Sequence, residues 1–149
     1  MLVGEVCNRE VVIAGREITI LEAAKLMRKH HVGDVVVIEK HGDEQAPVGI
    51  LTDRDIVVEL LAEEVDLSAV NIGDVMSFEL VVAKEDDSLL DTLQQMQAKG
   101  VRRIPVVNQR GGLVGLLAMD DLVELASEQL SAMVKLIKTE QSRERKIRG

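Results

Sequence analysis

Apolar positions along the chain change period in a fixed order, and that order occurs twice. Val11-Val12-Ile13-Ala14 is a short apolar run of strand type, followed by a polar turn. Ile20, Ala23, Ala24 and Met27 then recur at helical spacing. Val35-Val36-Val37-Ile38 reads as a β-branched strand, Lys40 to Ala46 as a turn, and a second strand ends near Thr52. A helix is expected from Asp53 to about Glu63. Further on, Leu80 to Ala83 opens the series again, with Leu89, Leu93 and Met96 marking a helix. The strand Ile104-Pro105-Val106-Val107, a turn over Asn108 to Gly112 and a strand ending near Ala118 follow. Gly111-Gly112 is a hairpin signal. Both first helices begin at a hydroxyl followed by an acid, Thr19 with Glu22 and Ser88 with Asp91. The hydroxyl satisfies an orphan amide and the acid suits the positive helix end.

The two series superpose when the chain is slid by 69 residues, which sets Val6-Cys7 on Val75-Met76, Met27 on Met96 and Val32 on Val101. After a first-copy loop three residues longer, Gly49-Ile50-Leu51 meets Gly115-Leu116-Leu117 and Asp55 meets Asp121. The expected fold is α+β, with repeats over 1–69 and 70–127 and a C-terminal helical extension over 128–149. A strand–helix–strand–strand–helix unit of about 65 residues has too little core to stand alone. Two such units face to face bury each other's apolar surface and leave a cleft on a pseudo-two-fold axis.

Composition narrows the function. The chain has 149 residues, 46% hydrophobic and 30% charged, which is the composition of a globular protein. No apolar run is long enough to span a bilayer, and Met1-Leu2-Val3-Gly4-Glu5 lacks the basic start and apolar core of a signal peptide. The single cysteine, Cys7, fits a reducing cytoplasm and forms no internal disulfide. Net charge is −8, unevenly spread: Lys135 to Gly149 carries six Lys/Arg and two Asp/Glu, and the remainder 12 and 24. An acidic body argues against nucleic acid as a partner, since phosphate contacts need a basic footprint. The only aromatic residue, Phe78, offers no stacking platform for single strands.

The element order, the doubling and the segment Gly49-Ile50-Leu51-Thr52-Asp53-Arg54-Asp55 resemble a pair of CBS (cystathionine-β-synthase-type) domains. The family's adenosine-binding signature is Gly, two apolar residues, Thr or Ser, two variable residues, then Asp. The first copy matches every defined position; the second, Gly115 to Asp121, has Ala118 in place of the hydroxyl. The resemblance implies that Asp55 and Asp121 hold ribose hydroxyls and that Thr52 assists near the ribose or phosphate, with Asp53, Arg54 and Asp120 beside them. It also implies that Arg102 and Arg103, at the start of a strand, neutralise phosphates. Gly33-Asp34 takes their place in the first copy, which points to one good site rather than two equal ones. With no aromatic residue to hand, adenine would lie among aliphatic side chains such as Val11, Val12, Val32 or Ile104.

Physical chemistry agrees with these roles and also supplies blander ones. A carboxylate's two acceptor oxygens suit a vicinal diol, and free amides at a helix start attract phosphate. Yet Thr52-x-x-Asp55 is also an ordinary capping box, a role compatible with ribose binding. Arg102 and Arg103 have surface acids such as Glu85 or Asp86 as alternative partners. His30 and His31 end the first helix, where a cation suits the dipole; His41-Gly42-Asp43-Glu44 lacks metal-ligand spacing. No nucleophile–base set or phosphate-binding lysine loop stands out, so the expected function is non-catalytic. The expected ligand is AMP, ADP or ATP, or else NAD or S-adenosylmethionine, serving as a regulatory ligand rather than a resident cofactor. The alternatives are a ligand-free interaction scaffold and a divalent-cation sensor. Leu122, Ala126, Leu130, Met133 and Ile137 form a helical stripe beyond what the second copy needs for its core. It suggests a homodimer, with a regulated protein as the further partner and no membrane contact.

Overall fold

The computed structural model describes residues 1–76 and 80–148, so Phe78 lies outside the described residues. In chain order the elements are α1 (Val3–Val6), β1 (Ile13–Ala14), α2 (Ile20–His30), β2 (Asp34–His41), β3 (Glu44–Thr52) and α3 (Asp55–Leu61). The second series is α4 (Ile72–Val75), β4 (Ala83–Lys84), α5 (Leu89–Lys99), β5 (Arg103–Val107), β6 (Leu113–Ala118) and α6 (Met119–Arg148). Each repeat holds a three-stranded sheet, in which the first strand runs parallel and the third antiparallel to the central one. This is the α+β repeat pair that the apolar pattern predicts.

Local chemistry explains most boundaries. Thr19 Oγ1 accepts the Glu22 amide at 3.1 Å and Ser88 Oγ accepts that of Asp91 at 3.5 Å, so both first helices start at the predicted hydroxyls. They end on left-handed residues, His31 (φ 53°) and Gly100 (φ 67°), which turn the chain sharply into the next strand. In the second hairpin Asn108 Oδ1 accepts the amides of Arg110 and Gly112, while Gly111 adopts φ 82°.

Several expectations need correction. β1 is Ile13–Ala14 and not Val11–Ala14, because its ladder to β2 begins only at Ile13↔Val36; β4 likewise begins at Ala83. The broad turn over Lys40 to Ala46 tightens to Gly42-Asp43, since strand pairing extends to His41↔Glu44 and the extra first-copy residues lengthen the hairpin. The helix after Asp53 becomes π-helical from Asp55 to Leu61, the Ala62 amide donating to the Val57 carbonyl at 3.0 Å. Its wide turns bury Ile56 and Leu60 and leave Val57, Val58 and Leu61 exposed.

The short helices α1 and α4 were not evident from periodicity, and they decide how the repeats join. Val3 is fully enclosed in the core of the second repeat, with Ala83, Met96, Ile104, Val106 and Leu117. Ile72 is fully enclosed in the core of the first, with Ile20, Val35, Val37 and Leu51. Backbone bonds fix the exchange: the amides of Val3 and Gly4 donate to the carbonyls of Asp87 and Glu85, and those of Ile72 and Gly73 to Ile18 and Arg16. Residues 1–8 therefore belong spatially to the second repeat. Each buried aliphatic side chain contributes about 1.5–3 kcal/mol, so the exchanged segments staple the halves together.

Signature glycines serve that junction. A Cβ on Gly115 would lie 2.6 Å from Cys7 Sγ and 2.9 Å from the Asn8 carbonyl oxygen, and one on Gly49 would lie 2.8 Å from Met76 Sδ. In both copies the glycine makes room for the segment that precedes the other repeat. Burial pushes the Cys7 thiol pKa up, against the opposing Arg9 charge, as suits a packed small side chain.

Candidate ligand-binding clefts

A cleft of about 410 Å³ opens between the repeats. The first repeat supplies Ile50, Thr52 and Asp55; the second supplies Leu80, Val81, Gly100, Val101, Arg102 and Arg103. The convergence follows from the fold. β3 delivers Thr52 at its last residue and the helix start delivers Asp55, while the left-handed turn at Gly100 leads directly into the two arginines.

Thr52 and Asp55 form a reciprocal box. The Asp55 amide donates to Thr52 Oγ1 at 3.1 Å, and the Thr52 amide donates to Asp55 Oδ2 at 3.1 Å. The capping interpretation thus holds, and among the described residues Asp55 Oδ1 has no hydrogen-bond partner. Asp53 points elsewhere: its carboxylate lies against Gly33 and accepts the Arg54 amide at 2.8 Å. Arg54 is exposed beside it.

The arginines are paired, though not with Glu85 or Asp86. Arg102 Nη2 donates to Asp120 Oδ1 at 3.0 Å, and both side chains are 74% exposed. Solvent screens such a pair to at most about 1 kcal/mol. Arg103 Nε donates to Asp34 Oδ2 at 2.8 Å in a more enclosed setting. Asp34 and Arg103 occupy equivalent positions of the two repeats, so this ion pair crosses the pseudo-two-fold axis. Burial pushes the Asp34 pKa up; Arg103 opposes the rise, and the charges of Asp53 and Asp121 add to it. One side of the axis is therefore cationic and the other anionic.

A second cleft of about 400 Å³ is lined by Glu10, Val11, Val12, Ile13, Leu26, His30 and Val32. Val11, Val12 and Val32 are the first-repeat equivalents of Leu80, Val81 and Val101. The structure thus divides the predicted residues between two places: Val11, Val12 and Val32 form a wall apart from Thr52, Asp55, Arg102 and Arg103. Ile104 lines neither cleft, being fully enclosed in the second core. The wall facing Thr52 and Asp55 is Ile50, Leu80, Val81 and Val101, four residues the sequence argument did not single out. The 69-residue shift could have found three of them, because it maps Val11, Val12 and Val32 onto Leu80, Val81 and Val101. Among the described residues no three His, Cys, Asp or Glu side chains converge as a metal site would require. Among them, too, no helix is long and apolar enough to cross a membrane.

Two βαββα repeats joined by exchanged leading segments, with an apolar-walled cleft at their junction, define a tandem-repeat α+β class of protein. The chain belongs to the CBS domain family, whose sequence profile matches residues 3–62 and 72–128. It is 32% identical over 123 residues to the uncharacterised protein MK0525 of Methanopyrus kandleri, covering 83% of this chain and 61% of that protein's length. It is 41% identical over 104 residues to the CBS domain-containing protein YhcV of Bacillus subtilis, covering 70% of each. Among solved structures, the CBS domain protein PAE2072 of Pyrobaculum aerophilum, complexed with AMP, superposes with a TM-score of 0.72 at 26% identity, covering 85% of this chain and 99% of that one. The CBS domain pair of protein MJ0100, in complex with 5′-methylthioadenosine and S-adenosyl-L-methionine, gives 0.74 at 26%, covering 87% and 98%.

Proposed function

We propose that the chain is a non-catalytic regulatory module that binds an adenosine phosphate in the 410 Å³ cleft between its repeats. The observation that carries this reading is the meeting, in one cleft, of Thr52 and Asp55 from one repeat with Arg102 and Arg103 from the other. Asp55 accepts the ribose hydroxyls, Arg102 and Arg103 face the phosphate, and adenine rests among Ile50, Leu80, Val81 and Val101. Related pairs of the same fold hold AMP, or 5′-methylthioadenosine and S-adenosylmethionine. The second cleft, whose lining holds Glu10 and His30 beside aliphatic residues and no Lys or Arg, suits a neutral or cationic adenosyl group better than a phosphate. To take a phosphate, Arg103 must loosen its bond to Asp34, and that bond ties one repeat to the other. Ligand binding thereby shifts the relation between the halves, the signal passed to a regulated protein. The working assembly is a homodimer in the cytoplasm.

Melting of the chain followed by circular dichroism, with AMP, ATP, S-adenosylmethionine or magnesium, tests the reading. A ligand that binds only the folded state raises the Tm. AMP or ATP is expected to stabilise the parent, and Arg103→Ala to lose that effect. No rise with any adenosine compound at millimolar concentration would refute nucleotide binding and leave an interaction scaffold. A rise with magnesium alone would favour a cation sensor.

A further inference from the structure

The last helix leaves an apolar face uncovered. α6 runs 30 residues, about 45 Å, and only its first turns touch the repeats: Leu122 packs on the second core and Leu125 is half-buried. From Ala126 onward every described residue is exposed. A helical stretch of some twenty residues without tertiary contacts is marginal in water, so packing must come from elsewhere. Val123, Ala126, Leu130, Met133 and Ile137 follow one another at alternating spacings of three and four, the repeat of a two-helix seam. Val123 is 61% exposed, Leu130 64%, Met133 61% and Ile137 55%. Val134 and Leu136 widen the stripe and are exposed as well.

Charge along the helix says what covers it. From Met119 to Val134 there are four acidic residues, Asp120, Asp121, Glu124 and Glu128, and no Lys or Arg. From Lys135 to Arg148 there are six basic residues and two acidic ones. Two copies of α6 side by side in the same direction would set acid on acid and base on base. Run in opposite directions, they bring the acidic first turn of each helix beside the first lysines of the partner's basic half. The apolar stripe then closes in register: Val123 meets Met133, Ala126 meets Leu130, and Ile137 meets Met119. In that register Asp120 and Asp121 lie near Lys135 and Lys138. The segment from Lys138 onward passes the start of the partner's helix, toward repeats in which residues 1–118 carry 20 Asp/Glu against 12 Lys/Arg.

We infer that α6 is an antiparallel dimerisation helix whose occupant is the α6 of a second copy of this chain. The inference rests on the homodimer stated above and assigns its interface.

Sedimentation velocity of the full chain, paired with directed cross-linking, tests it. The parent is expected to sediment as a dimer, and Leu130→Glu with Met133→Glu to halve the mass without lowering the melting temperature of the repeats. In a Cys7→Ser background, a mixture of Val123→Cys and Met133→Cys chains is expected to form the mixed disulfide, because bridging requires Cα atoms within about 7 Å. A monomeric parent overturns the inference, as does a Val123→Cys homodimer, which means parallel helices. A dimer indifferent to the two glutamates overturns the α6 seam while leaving the homodimer and the ligand reading intact.

Discussion

Asp55→Ala and Asp55→Asn remove different things from one carboxylate. In the free chain Asp55 Oδ2 accepts the Thr52 amide at 3.1 Å and the Asp55 amide donates to Thr52 Oγ1 at the same distance. Asp55→Ala breaks the side-chain half of that box and is expected to lower stability by about 1 kcal/mol, or about 2–4 °C in Tm for a chain of this size. Asp55→Asn keeps an oxygen for the Thr52 amide and most of that stability, but it removes the charge. A hydrogen bond to a charged acceptor is worth about 1.5–3 kcal/mol against about 0.5–1.5 for a neutral one. With the Asn oxygen kept by the Thr52 amide, an NH2 stands at the Oδ1 place and can only donate to the ribose oxygen. A neutral bond then replaces a charged one, which predicts about a 5–10-fold loss of AMP affinity for Asp55→Asn. Asp55→Ala, which loses the bond outright, is expected to bind about 10–150-fold more weakly. The assay is melting by circular dichroism across an AMP titration, with affinities from calorimetry. At 100 times its Kd, AMP stabilises the parent by about 2.7 kcal/mol, a rise of about 5–11 °C. Should Asp55→Asn bind AMP as tightly as the parent, the carboxylate is not the ribose acceptor and the site assignment fails.

Three further outcomes follow from the same geometry. Gly115→Ala drives a Cβ against the Asn8 carbonyl oxygen and is expected to destabilise by about 1–3 kcal/mol, whereas at Gly49 the obstacle is the flexible Met76 side chain; comparable chemical-denaturation midpoints for the two variants would contradict this. His31 sits at φ 53° where the second repeat has Gly100, so His31→Gly is expected to raise stability by about 1 kcal/mol in the same assay. Asp34 ionises less readily folded than unfolded, so the stability it subtracts appears as pH rises from the ordinary aspartate range through its native pKa. Its carboxyl carbon in an NMR titration is expected to show a midpoint above ordinary aspartates, and AMP to push it higher by drawing Arg103 away; a midpoint at or below the ordinary range would exclude the arrangement.

What the sequence by itself determined is local or periodic. The helix starts at Thr19 and Ser88, the Thr52–Asp55 box and the Asn108 turn all join residues within about four positions of one another, and the apolar periods assigned the strands and the longer helices to their class. The repeat added the architecture, because neither half has enough core alone. Tertiary structure decided everything that couples distant residues. Periodicity cannot show that Val3 fills the core of the second repeat and Ile72 that of the first, since four-residue helices are too short to display a period. Nor can it show that Thr52 and Asp55 share a cleft with Leu80, Val81 and Arg102 while Val11 and Val32 wall another. The Asp34–Arg103 pair depends on how a pseudo-two-fold axis brings equivalent positions face to face. Charge at such a place is set by which residue each copy contributes, and only packing tells which residues meet.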